Sequence, residues 1–372
     1  MSQRVAIIGA GVAGLLSIKS CLEEGLVPVC LERHDDLGGI WYYGDELRKG
    51  QVAATYDSVV TNISKEMLCF SDFPFPKEWP PFIPHKKVHQ YLHSYAEHFG
   101  LKKYIRYNQD VLSIEKSGDD GWNVVSMNSD GRVKEIFDHL MVCTGIYNKI
   151  HYPSYPGLDE FTGIQIHANQ YRNTTGLTNK RIVVVGAGFT AGEISCELAR
   201  TGSTEIAHCQ FNRMTDDGDN MQLYKYVFPV RVENPEKLAI IGMIAPFSAV
   251  WPCMELQARW ATRVFTKNLK LPKKEEMLAD IETKPKYGRR YCFINPFKYE
   301  DEIAEDIGVK PSFWKLLLSD PKLAMAFQYG PQLPYMYRLQ GPGKWDGARD
   351  AILNAEMNTT SHMGSYRSQH AK

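Results

Sequence analysis

Two glycine-rich turns carry the strongest chemical signal in this chain: Gly9, Gly11 and Gly14 in VAIIGAGVAGLLS, and Gly186, Gly188 and Ala191 in RIVVVGAGFTAGEIS. Each follows an apolar, β-branched run and opens a helical pattern. The first glycine of such a turn permits the tight bend, the second lets backbone approach a pyrophosphate, and the third lets helix and strand pack closely. The helix N-terminus then offers unpaired N–H groups and partial positive charge to the phosphates. In the first turn the cradle is Gly9, Ala10, Gly11, Val12, Ala13 and Gly14. Glu32 ends the next strand, where its carboxylate can accept from ribose hydroxyls. In the second turn the corresponding residues are Gly186, Gly188, Thr190, Ala191, Gly192 and Glu193. Its next strand ends without an acid, at Gln210, with Arg213 close behind. An acid there favours the free 2′-hydroxyl of NAD; an arginine without one favours the 2′-phosphate of NADP. An ordinary solvated arginine is the other reading of Arg213. Two such turns imply two dinucleotides, most simply a flavin and a nicotinamide.

The elements that must hold these turns are legible. A strand is expected at Arg4 to Ile8, a helix at Val12 to Glu24 and a strand at Pro28 to Glu32, which together make one βαβ unit. DFPFPKEWPPFIP, from Asp72 to Pro84, carries five prolines and several aromatics. It must be irregular, yet it is too apolar for a linker and is expected to pack on the core. Helical spacing runs from Lys87 to Phe99. Strands are expected at Ile105 to Ile114, Trp122 to Met127 and Glu135 to Val142. Arg181 to Gly186, a helix from Phe189 to Arg200 and a strand from Glu205 to Gln210 make the second βαβ unit. TDDGDN follows as a polar turn, then the strand-like MQLYKYVFPV and LAIIGMIAP, then a helix at Glu255 to Phe265. The second turn therefore owns only one βαβ piece, where a full dinucleotide domain has two such halves.

At 372 residues, with 44% hydrophobic and 23% charged side chains, the chain suits two ordinary globular domains. Its zero formal net charge gives no electrostatic reason to expect nucleic acid as partner. The eight cysteines are scattered and none forms a C-x-x-C pair, so they read as reduced core thiols in a cytosol-facing protein. The absence of that pair also argues against a flavin disulfide reductase. The longest apolar stretch, Leu238 to Met254, is broken by Pro246 and Pro252. It reads as a buried strand and a loop rather than a membrane span. The first residues enter a strand directly, so no signal peptide is expected. The placement expected is cytoplasmic, with a peripheral position at the endoplasmic reticulum left open.

FTGIQIHANQY, from Phe161 to Tyr171, fits F-x-G-x-x-x-H-x-x-x-Y and resembles the signature of the flavin-containing monooxygenases, in their animal, N- and S-oxygenating form. ERHDDLGGIW, from Glu32 to Trp41, is similar to that family's second flavin-contacting segment. TNISKEMLCFSDFP, from Thr61, is similar to a further block, and LQARW and GPGKWDGAR resemble segments of the animal members. The resemblance implies an α/β fold of a two-dinucleotide-binding-domain flavoprotein: a Rossmann-like FAD domain with a shortened inserted NADP domain. Residues 1–160 would begin the FAD domain, 161–220 form the truncated NADP domain, 221–355 complete the first domain, and 356–372 form a disordered tail. The resemblance also implies FAD and NADPH as cofactors. NADPH would reduce FAD, and a flavin hydroperoxide made with O2 would oxygenate a small-molecule amine or sulfide. Gly39, Ile40, Trp41, Thr61 and Asn62 then join the FAD site, with Asn62 as the catalytic amide beside the ring. An asparagine in a turn is the plain structural reading of Asn62. His167 invites a catalytic role, but a hydrogen-bonded histidine packing the interdomain linker is the expectation. Cys143 reads as packing. Trp41 and the aromatics of Phe70 to Phe82 read as wall and core.

Between Gln210 and Met221 the chain passes to the return strand without the rest of the NADP domain that the resemblance implies. An FAD-binding protein that is non-catalytic, or an uncoupled NADPH oxidase releasing peroxide, is the alternative that this gap raises.

Overall fold

The computed structural model describes residues 2–118, 121–147, 150, 152, 156–186, 188–202, 205–209, 222–246, 248–284 and 293–370. The chain opens with β1 (Arg4–Ile8), α1 (Val12–Glu23) and β2 (Val27–Leu31). After a long irregular stretch come α2 (Lys65–Leu68) and α3 (His85–His98). Helix α3 starts two residues before the expected Lys87, because Pro84 sits at its N-cap and cannot be followed backwards by helix. The expected strand Ile105 to Ile114 divides into β3 (Ile105–Arg106) and β4 (Asp110–Ser117), since Asn108 turns the chain at φ +55°. β4, β5 (Gly121–Asn128) and β6 (Gly131–Phe137) form an antiparallel meander. The run from Glu135 to Val142 likewise serves two sheets: it breaks at Asp138, whose carboxylate accepts from the Arg4 N–H at 2.7 Å, and continues as β7 (His139–Val142).

The second βαβ unit consists of β8 (Arg181–Val185), α4 (Phe189–Arg200) and β9 (Glu205–Cys209). Gln210 and Arg213, on which the 2′-phosphate expectation rested, lie outside the described residues. Beyond them a small hairpin of β10 (Leu223–Tyr224) and β11 (Phe228–Pro229) leads to β12 (Leu238–Ile240). The stretch expected as a loop after this strand instead starts helix α5 (Trp251–Phe265), with Pro252 in the first turn where no N–H is required. Helices α6 (Lys274–Thr283), α7 (Pro296–Asp306), α8 (Phe313–Ser319), α9 (Pro321–Tyr329) and α10 (Ala348–His370) complete the chain. Residues 356–370, expected as an unordered tail, therefore continue a helix. No Pro stands between Ala348 and His370 to break it.

The central sheet is parallel, with strand order β12-β7-β1-β2-β3. Ala6 lies between Val29 and Leu140, and Met141 is paired by Ala239. β12 thus arrives from beyond the second βαβ unit to complete the sheet of the first. Continuous hydrophobic runs suit strands covered on both faces. Helices α1 and α5 cover one face through Leu15, Leu16, Ile18, Ala258, Ala261 and Phe265, while Trp122, Val124 and Phe137 of the meander cover the other. By contrast, β8 and β9 pair only with each other among the described residues, and Val183 and Val185 of β8 are exposed.

Glu300 of α7 is buried, and its carboxyl accepts from Cys253 Sγ at 3.3 Å and from Gln332 Nε2 at 3.2 Å. Burial pushes its pKa up to about 8 from 4.5. A folded pKa above the unfolded value means the folded state holds the extra proton. Its contribution is therefore complete below pH 4.5 and lost as pH rises towards 8. A Glu300→Gln protein is expected to show a flatter fall in melting temperature between pH 5 and 8.5 than the parent; parallel curves would contradict this.

Candidate cofactor site

Residues Gly9 to Gly14 turn the chain from β1 into α1. Gly9 has φ +100°, and a Cβ there would come 2.8 Å from the Cys143 carbonyl oxygen. At Gly14 a Cβ would fall 1.9 Å from the Gly9 oxygen, so helix and strand meet as closely as backbone allows. Gly11 is the N-cap of α1, and the N–H groups of Val12 and Ala13 lie in the helical turn whose donors have no intrahelical acceptor. Ala10, Val12 and Ala13 are buried. Cys143 is buried too, with its Sγ 3.4 Å from Ser17 Oγ, which agrees with a packing role.

Glu32 follows β2. It is buried, its Oε2 accepts from the Ala10 N–H at 2.7 Å, and its Oε1 accepts from the His34 N–H at 2.9 Å. A carboxylate has about four acceptor sites, so both oxygens keep capacity for ligand hydroxyls. The segment after Glu32 turns back on the cradle: Gly38 donates to the Ala10 carbonyl at 3.0 Å, and Gly39 and Gly11 face each other. Gly39, Ile40 and Trp41 form a short 3-10 turn; Ile40 is exposed, and Trp41 meets Trp251 edge-on at 5.9 Å. The expected residues of the first cradle are therefore brought together from β1, α1, the end of β2 and this turn.

Asn62 is exposed, and its side chain makes no hydrogen bond to another described residue. The residue before it fixes its place. Thr61 is buried; its hydroxyl accepts from the Ile83 N–H at 2.9 Å and donates to the Ile63 carbonyl at 3.0 Å. Lys65, fully buried at the start of α2, donates to the carbonyls of Pro76, Lys77 and Trp79 and so pins the proline-rich segment. Burial lowers the pKa of this lysine from its ordinary value. Helix α3 unites the two halves of the site. His85 Nε2 lies 3.2 Å from the Asp57 carbonyl, and one turn on, His89 Nε2 lies 3.1 Å from the Leu37 carbonyl beside Gly38. Phe70 and Phe75 are buried against Tyr91, Tyr95 and Trp251, with Trp79 buried beside Phe75, as expected for core aromatics, whereas Phe82 is exposed.

The second turn is built differently. Gly186 has φ +141°, and Gly188 caps α4, but a Cβ at Gly188 or Gly192 would meet nothing within 4 Å. Gly188, Thr190, Gly192 and Glu193 are exposed, and Gly186 and Ala191 are half-buried. Glu193 accepts from the Tyr56 hydroxyl, and Glu197 accepts from Ser58 Oγ at 2.7 Å and from the Tyr171 hydroxyl at 2.9 Å. Tyr56, Tyr171, Ile194 and Leu198 make a small core of their own that docks this unit on residues 56–59. Burial and the Glu193 carboxylate raise the Tyr56 pKa, so its hydroxyl stays protonated as the donor. His167 lies 2.9 Å from Asn169 Oδ1 through Nδ1, with Tyr152 edge-on, which agrees with a linker-packing role.

The sequence pattern missed the residues that hold the C-terminal third to the first. Arg338, 1% exposed, donates to Ser71 Oγ at 2.6 Å, to Glu255 Oε1 at 2.7 Å and to the Gly343 carbonyl at 2.9 Å. Asp72 lies 3.2 Å away and also pairs with Lys19 at 2.8 Å. LQARW, singled out for its likeness, supplies Arg259 to the same cluster, and no periodicity marks the rest.

A family described as flavin-binding monooxygenase-like matches residues 2–218 and 210–371. Flavin-containing monooxygenase 5 of Rattus norvegicus is 33% identical over 491 aligned residues, covering 95% of this chain and 92% of that protein. Dimethylaniline monooxygenase [N-oxide-forming] 2 of the same organism is 32% identical, covering 95% and 91%. Among solved structures, S-allyl-L-cysteine S-oxygenase from Allium sativum superposes with a TM-score of 0.75 at 24% identity, covering 97% of this chain and 99% of that one. The two family matches meet at residues 210–218, where the sequence pattern breaks. Since 95% of 372 is about 353, roughly 138 of the 491 aligned positions have no residue here. No helix among the described residues is long and apolar enough to cross a membrane. This chain belongs to the flavin-binding monooxygenase family.

Proposed function

We propose that this protein is an FAD- and NADPH-dependent monooxygenase that oxygenates soft nitrogen or sulfur nucleophiles, amines and sulfides, with O2 as co-substrate. The carrying observation is the first cradle, in which Gly11 faces Gly39 while Glu32 closes the end of β2. Its residues fit a dinucleotide: a glycine turn with no Cβ in the approach, helix N–H donors, and a buried carboxylate with acceptor sites to spare. When bound, FAD reduced by NADPH supplies O2 activation and transfer of one oxygen atom, the other leaving as water.

The chain's own residues bind, orient and shield. The N–H groups of Val12 and Ala13 hold the pyrophosphate, and Glu32 accepts from the ribose. Asn62 donates from its amide towards the reacting oxygen or the nicotinamide cofactor, a fixed dipole rather than an acid or base. Thr61 is a positioning residue for it. The aromatic wall of Phe70, Phe75, Trp79 and Trp251 keeps one side dry, which prevents wasteful release of peroxide. The name of the rat N-oxide-forming relative supports nitrogen as an acceptor.

An Asn62→Ala protein is expected to keep its FAD and to form sulfoxide or N-oxide about 100-fold more slowly. Hydrogen peroxide released per NADPH should rise. Unchanged product formation would remove Asn62 from the reaction. A second reading, an NADPH oxidase that mainly releases peroxide, is favoured by the exposure of Thr190, Gly192 and Glu193 and by the positions absent near residue 210. Measuring product and peroxide against NADPH consumed separates the two. A ratio of product to NADPH near unity supports oxygenation, and peroxide in its place supports the oxidase.

A further inference from the structure

Asp36, His89 and His93 form a cluster that the proposed reaction does not use. His89 and His93 stand one turn apart on α3, so their imidazoles share a face. Asp36, from the loop after Glu32, faces both: Oδ2 lies 3.2 Å from His89 Nε2, and Oδ1 lies 3.0 Å from His93 Nε2. The three ligand atoms lie within 4.8 Å of one another. We propose that Asp36, His89 and His93 bind one divalent transition cation of the zinc class, bracing the Gly38–Gly39 turn against α3.

Two imidazoles and one carboxylate are a zinc-type donor set, and they leave a fourth position for water. Magnesium and calcium prefer oxygen ligands, so they are poor occupants here. Metal–ligand bonds of about 2 Å place tetrahedral donors roughly 3.3 Å apart, close to the Asp36–histidine distances. The three side chains are 22–34% exposed, which leaves the ion a path in. The supports around them are fixed. A Cβ on Gly38 would come 2.7 Å from His89 Cδ2, so the imidazole rests on the turn itself. Tyr42 meets the His89 ring edge-on at 5.7 Å, and the Arg48 guanidinium stacks over Tyr42 at 3.6 Å while pairing with Asp35 at 3.0 Å. Such outer contacts orient ligand imidazoles. On binding, the ion takes the Nε2 lone pair of each neutral imidazole, whose proton then resides on Nδ1, and at His89 it replaces the contact with the Leu37 carbonyl; a ring that was protonated releases one proton to solvent.

The test is calorimetric titration of ZnCl2 into the FAD-loaded full chain after chelator treatment and its removal, beside His93→Ala and His93→Gln. One saturable site per chain is expected in the parent, with affinity at least tenfold weaker in both variants. The melting temperature should rise with zinc only in the parent, and MgCl2 should do neither. No saturable zinc uptake would overturn the proposal. Uptake undiminished in both variants would overturn it equally, since it would place the ion elsewhere, for instance at the exposed Cys196.

Discussion

A Gly11→Ala protein is expected to fold as the parent does and to purify almost free of flavin. A Cβ at this position meets only Gly39, at 3.6 Å from its Cα, which is ordinary contact. The protein has room for the methyl group; a pyrophosphate approaching the same backbone does not. FAD occupancy at a fixed FAD concentration near the dissociation constant should reveal a loss of affinity of at least tenfold, about 1.4 kcal/mol or more. The melting temperature of the apoprotein should stay where it was. Gly14→Ala is the opposite case. Its Cβ would lie 1.9 Å from the Gly9 carbonyl oxygen, which is backbone and cannot turn aside. That variant should lose about 1–3 kcal/mol of stability before any ligand is considered. A Gly11→Ala protein with undiminished affinity for FAD would show that no pyrophosphate lies against this turn.

Removing Arg338 is expected to have the largest effect on stability. Arg338→Met keeps much of the side chain's bulk and deletes its charge, leaving Glu255 and Asp72 short of a buried partner. Breaking a buried pair in this way costs about 3–5 kcal/mol, read as a lower urea midpoint. Burial alone would raise the Glu255 carboxyl, but the Arg338 and Arg259 guanidiniums outweigh it and hold the pKa at about 2, below the ordinary 4.5. With the folded pKa depressed, the stabilisation is complete above about pH 4.5 and is lost as pH falls towards 2. The parent should therefore lose stability on acidification more steeply than Arg338→Met. A midpoint change equivalent to less than about 1 kcal/mol would show that this cluster does not clamp the C-terminal third to α1.

The first cradle was legible because its constraints are local. Gly9, Gly11 and Gly14 are tied to one another by backbone geometry, and Glu32 is placed by the length of a single βαβ unit. β1 and α4 fall where the periodicity put them for the same reason. What the pattern could not divide were runs shared between sheets. Glu135 to Val142 looks continuous, and only the pairing of Asp138 with the Arg4 N–H separates β6 from β7. Likewise nothing local announces that β12 belongs beside β7, because that pairing spans the second βαβ unit. Arg338, Glu255 and Asp72 are far apart in sequence, and only folding makes them one cluster. His89 and His93 carried a readable signal in their spacing on a helical pattern, but Asp36 joins them only in three dimensions. At Glu193, expected from the motif to serve the nucleotide, the structure adds a hydrogen bond from the Tyr56 hydroxyl that no local pattern announces, because α4 docks on residues 56–59.

The account rests on flavin bound at the first cradle being reduced by NADPH despite the shortened second unit. Mixing the FAD-loaded protein with NADPH under nitrogen, in a stopped-flow spectrophotometer, tests this most directly. The account predicts that the oxidised-flavin absorbance bleaches at a rate at least equal to steady-state turnover. FAD that stays bound and oxidised in saturating NADPH would contradict it.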